Sequence, residues 1–220
     1  MLLAGCQKEE QQQTQETQKT VIEEPEASTA ETALAEIQQS ASPEFAGRLG
    51  FDAGDDLSKA TLGEPAQVYV IGLQQARAYS GNEEAMAFLG KSIRTIYPVN
   101  IEEVTKSSVG LSRDENGGEW KVTSMGRPRL SRSLAQLRQQ YAAAAGVDLS
   151  GFFVVEVPAC YFMFLGHQSA NGVVFIHTAD NEDLGFVRGK SEVAGSVLSR
   201  VREFARTTEG ALVAGERAGN

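Results

Sequence analysis

The chain has 220 residues, two cysteines and a net charge of −9 at neutral pH. That length suffices for one ordinary domain with a real core, and no stretch nears the roughly 18 consecutive apolar residues of a membrane-spanning helix. The acidity is local: residues 7–45 carry −7 and residues 46–220 only −2, and no basic stripe interleaved with aromatics marks a nucleic-acid surface.

The chain opens on Leu3-Ala4-Gly5-Cys6, followed by a run of Gln, Glu and Thr. Small side chains at Ala4 and Gly5 suit a signal peptidase cutting before Cys6. These four residues resemble the lipobox of bacterial lipoproteins, in which the cysteine becomes the mature N-terminus and its sulfur takes a diacylglycerol. The resemblance implies a lipid bilayer as partner through acylated Cys6, and a place in the cell envelope. Gln7, just after the lipid-bearing position, resembles lipoproteins sent to the outer membrane where the organism is Gram-negative. Only Met1 to Gly5 precede the cysteine, so 1–5 is read as the remnant of a longer leader. Each buried acyl CH₂ contributes about 0.8 kcal/mol, so several chains anchor firmly.

Residues 6–65 are read as lipid attachment plus a disordered acidic tether, because a segment with so few large apolar residues cannot offset its ordering entropy. A short helix over Ala30–Gln39 has good propensity, but only Leu34 and Ile37 for an apolar face. The folded unit is expected over 66–207, with 208–220 as a loose tail. Val68 and Val70 alternate with Tyr69 and Ile71 as a short strand. Leu73–Tyr79 reads as one or two helical turns. Asn82 caps a helix from Glu83 to about Ile96, with Met86, Leu89, Ile93 and Ile96 at helical spacing and Pro98 as its stop. Val104–Ser112 and Glu119–Ser124 form a hairpin across Asp114–Gly118, with Trp120, Val122 and Ser124 on one face. Leu130, Leu134, Leu137 and Tyr141 mark an amphipathic helix ending near Gly146, opened by Ser131 or Ser133. Pro158 divides the apolar run Phe152–Leu165, which reads as two strands or one bent edge strand rather than a helix. Val173–Thr178 and Leu184–Val187 are further strands, and a last helix runs from Glu192 to about Arg206. Consecutive strands joined by short turns predict an α+β fold, a mainly antiparallel sheet with about three helices packed on one face. The rhythm of helices and hairpins hints at two similar halves without a residue-level repeat.

Four constellations bear on function. Arg127, Arg129 and Arg132 crowd a helix start, where cations oppose the macrodipole, while arginines and free amides there suit a carboxylate or phosphate. His167, His177 and Asp180, near Glu182 and Asp183, supply metal-ligand chemistry, but no HExxH, CxxC or EF-hand spacing frames them. Cys160 sits in an apolar run and reads as a small buried hydrophobe. The aromatics of 152–164 read as core before groove. No nucleophile elbow, phosphate loop or dinucleotide fingerprint is present, and no cofactor is implied. The expected function is therefore a membrane-tethered, non-enzymatic binding or scaffold module that meets an anionic ligand or acidic envelope protein at Arg127, Arg129 and Arg132. The alternative is a metal-dependent hydrolase using His167, His177 and Asp180.

Overall fold

The structure, a computed structural model, describes residues 24–40 and 42–217, the side chains of Ser40 and 208–217 excepted. Cys6 and the rest of 1–23 lie outside the described residues. The elements are α1 (Glu24–Ser40), α2 (Pro43–Leu49), β1 (Thr61–Leu62), β2 (Ala66–Val70), α3 (Leu73–Ala78), α4 (Ala85–Leu89), β3 (Arg94–Ile101), β4 (Val104–Ser112), β5 (Lys121–Met125), α5 (Pro128–Ala145), β6 (Phe152–Val157), β7 (Phe162–Ser169), β8 (Gly172–His177), β9 (Ser191–Val193) and α6 (Ala194–Arg217). The last helix thus runs on to Arg217, into the segment expected as a loose tail.

The strands form one sheet in the order β5-β4-β3-β2-β6-β7-β8-β9, with β1 added antiparallel to β3. Every pairing is antiparallel except β2 with β6, where Val68 lies beside Val154. The class is α+β, as expected. The chain runs four strands and a helix twice, β2–β5 then α5, and β6–β9 then α6. The two halves meet along the parallel pair at the centre of the sheet. A pseudo-twofold axis along the strands relates such halves and sends their helices to opposite faces.

Alternation along β6 shows this directly. Phe153, Val155 and Val157 pack with Val197, Leu198 and Val201 of α6. Val154 packs with Leu134, and Phe152 with Leu137, both of α5. Successive strand residues point to opposite faces, so helices cover both faces rather than one. On the α6 side, α1 lays Ala30, Ala33 and Ile37 against Tyr97, Val99, Val109 and Leu111. The segment expected as tether therefore contributes core. Its apolar stripe is narrow, since alanines bury little area each, and its partners lie some 70 residues away. Buried Glu26 accepts a hydrogen bond from Tyr97 Oη at 3.0 Å and fixes the start of the same helix.

Four further expectations change. The helix expected over 83–96 ends at Leu89, and Ile96 and Pro98 belong to β3. Pro98 is tolerated there because Ser108, opposite it, directs its own backbone bonds to Gly126. Pro98 therefore faces the gap between β2, whose pairing ends at Ile96, and β1, whose pairing begins at Val99. No ladder donor is missing. In β5, a bulge between the pairs Gly110↔Ser124 and Leu111↔Val122 sends Ser124 and Val122 to opposite faces. The segment expected as a strand at Leu184–Val187 is a short 3-10 turn, Glu182–Leu184, closed by a bridge between Asn181 and Phe186. Glu192 and Val193, expected in the helix, form β9 with Ser191.

Candidate functional site

The start of α5 is set by a sharp bend. Gly126 (φ 99) and Arg127 (φ 57, ψ 47) are both left-handed. Such a conformation is uncommon for a side-chain-bearing residue. Pro128 takes the first helical position, where its missing N–H costs nothing. No side chain caps the helix. Ser131, expected as a cap, is instead buried: its Oγ donates to Ser108 Oγ at 2.8 Å, which donates to the Gly126 carbonyl at 2.9 Å. This relay pins the first turn of α5 to β4. On the other side, Gly50 ends α2 with φ 101, and a Cβ there would run into Pro128 and the Lys106 carbonyl.

The three arginines expected as a cluster have separate environments. Arg132 Nη2 donates to the Gly50 carbonyl at 2.7 Å, tying α5 to α2. Arg127, its side chain 47% exposed, leans to Glu156 at 3.9 Å. Arg129 is exposed and has no ion pair among the described residues. Three residues from elsewhere join them. Glu156 on β6, only 7% exposed, holds Arg94 of β3 at 2.5 Å. Arg188, from the loop before β9, donates to Ser133 Oγ at 3.0 Å. Ser133 lies one turn beyond Arg129, so Arg188 comes to the same side of α5. Sequence reasoning missed Arg94, Glu156 and Arg188. Glu156 had a signal: it is the one charged residue in 152–165, and a carboxylate in a buried strand demands a cation.

Three small cavities follow the underside of α5. The first, about 10 Å³, lies among Arg94, Ser108, Ser124, Arg127 and Ser131. The second, about 20 Å³, is bordered by Ile96, Pro98, Leu134 and Val154. The third, about 60 Å³, lies among Glu64, Asn100, Thr105 and Arg138. These have room for one to a few waters, far below the roughly 300–1,000 Å³ of a small-molecule pocket. Beside them Arg138, 5% exposed, donates to the carbonyls of Glu64, Pro65 and Leu149 at 2.7, 3.1 and 2.6 Å. Burial pushes its guanidinium down to about 10. It is a structural staple, still charged at neutral pH.

The residues of the hydrolase alternative are not brought together. His167 pairs across β7–β8 with Val174 and lies tilted against Phe152, 5.3 Å between ring centroids, on the α5 face. His177 pairs with Phe164 on the α6 face. Asp180 accepts from the Arg188 backbone N–H at 2.7 Å. Among the described residues no three His, Cys, Asp or Glu side chains are placed to share a metal ion. Cys160 is buried, and burial pushes its thiol up, with Arg77 opposing. That is the reverse of nucleophile activation.

His177 is fully buried beside Glu192, with Nε2 3.2 Å from Oε1. The approach is not aligned as a hydrogen bond, and neither ring nitrogen has one. Arg200 at 2.7 Å and Lys190 at 3.4 Å hold the same carboxylate. Burial by itself raises the Glu192 carboxyl, but Arg200, Lys190 and His177 outweigh it and hold it below the usual value. Burial pushes His177 down, against the pull of Glu192.

Neither protein-family models nor curated proteins nor solved structures contain a match to this chain.

Proposed function

We propose that the chain is a lipid-anchored bacterial envelope protein, a non-enzymatic binding or scaffold module that meets an anionic or acidic partner at the start of α5. The address rests on the resemblance of Leu3-Ala4-Gly5-Cys6 to a lipobox. No helix among the described residues is long and apolar enough to cross a membrane. With α1 beginning at Glu24, an anchor at Cys6 holds the domain within about 60 Å of the bilayer, at about 3.5 Å per residue fully extended.

One observation carries the binding surface. Arg129 is an exposed cation without an ion pair among the described residues, in the first turn of a helix whose dipole disfavours it. Arg127 and Arg188 flank it. The stability of α5 does not call for that charge, whereas capture of an anion does.

The test separates these two demands. Replacing Arg129 by Glu places a favoured charge at the helix start, and stability is expected to rise by about 0.3–1 kcal/mol. A photo-crosslinking side chain at exposed Gln136, two turns further along α5, reads out the partner in envelope fractions. The adduct is expected to form in the parent, weaken with salt and vanish in R129E. An adduct that survives R129E would refute the assignment.

A further inference from the structure

We propose that the loop 178–190 is an acid-loosened latch, held onto the sheet most firmly while the buried imidazole of His177 is uncharged. His177 ends β8 and stands at the root of the loop. Its backbone is tied to the loop's far end, His177 N–H to the Lys190 carbonyl at 3.0 Å and Gly189 N–H to the His177 carbonyl at 2.8 Å. Its ring packs against Phe186 at the loop's centre, 4.5 Å between centroids, and edge-on to Phe164 of β7 at 5.7 Å. Phe186 is 3% exposed and is also held by Arg200, whose guanidinium lies 4.7 Å over the ring. Arg200 also donates to the Leu184 carbonyl at 2.9 Å. Tyr141 of α5 donates to the Gly189 carbonyl. The imidazole is thus one wall of the pocket that receives the loop.

The charges around it decide what a proton does. Lys190 and Glu192 face the ring from β9 and its approach, and Arg200 from α6. The α4 helix, which also meets β8, carries only Ala, Met, Phe and Leu. One carboxylate already serves two permanent cations. A proton on His177 puts a third cation on it, inside an aromatic pocket where the ring finds no other acceptor. Burial dominates over Glu192, so the closed loop disfavours protonation.

The sign follows from linkage. The opened loop hydrates the ring and restores its ordinary value of 6.5. Closure is therefore fully favoured above 6.5 and weakens as pH falls below it. Between pH 7.5 and 5.5 the opening constant rises by up to about tenfold. Opening bares Phe186 and withdraws Arg188 from Ser133.

Hydrogen exchange of the full chain tests this at pH 7.5 and 5.5, with protection corrected for intrinsic rates. The amides of Phe186 and Gly189 are expected to lose up to about tenfold in protection at pH 5.5, while those of β3 and β4 hold. His177→Gln is expected to exchange faster at both pH values but with no difference between them. A titration of the native ring protons, assigned with His167→Gln, is expected to show His177 titrating below 6.5. A pH-dependent loss that persists in H177Q, unchanged protection in the native chain, or a His177 midpoint at or above 6.5 would each overturn the latch.

Discussion

Replacing Ile37 by Ala tests whether α1 belongs to the domain or to a tether. Ile37 is 1% exposed and sits with Ala30 and Ala33 against the β3–β4 face. The change removes three carbons, worth about 0.8 kcal/mol each on transfer. A cavity term adds to that, because Tyr97, Val99 and Val109 lie on a sheet that cannot collapse into the space. The total is about 3 kcal/mol. For a domain of this size urea slopes run near 2 kcal/mol per molar, so the unfolding midpoint should fall by about 1.5 M. Circular dichroism and tyrosine–tryptophan fluorescence should report one coincident transition. A segment that merely tethers would show a change within about 0.5 kcal/mol. A midpoint shift under about 0.25 M, or helix lost in a separate earlier step, would refute the placement of α1 in the core.

Other expectations follow from buried polar groups. Tyr97→Phe deletes the donor to Glu26 and should cost about 1–3 kcal/mol by urea titration. Burial, then the Glu26 charge, holds the Tyr97 phenol above its ordinary 10. The unfolded chain therefore releases that proton first, native stability declines as pH rises past about 10, and Y97F should lose part of this decline. Arg138→Met leaves the carbonyls of Glu64, Pro65 and Leu149 without their donor. A loss of about 3 kcal/mol or more is expected, with Arg138→Lys recovering only part because one ammonium cannot span three carbonyls.

The strongest local patterns were legible. Leu130, Leu134 and Leu137 gave α5, and Pro158 divided β6 from β7, because one face of each element is buried and its period is local. The 86–96 stretch misled because Met86, Leu89, Ile93 and Ile96 fit a helical period, while the register that makes Arg94–Ile101 a strand is set by β2 and β4. Likewise α1 reads as a poor helix until Tyr97 and Val99 supply its partner surface. The site was half legible. Arg127, Arg129 and Arg132 were visible as neighbours, but which of them is free depends on Gly50 and Glu156, 82 and 29 positions from Arg132 and Arg127. Arg94 and Arg188 reach α5 only through strand order, and no spacing in the chain encodes that.

Intact mass tests the proposed tethered envelope module most directly. The protein is expressed from its native gene context and taken from the membrane fraction. The expected mass is that of cleavage before Cys6 plus acyl chains. A soluble product that retains Met1 and an unmodified Cys6 would contradict it.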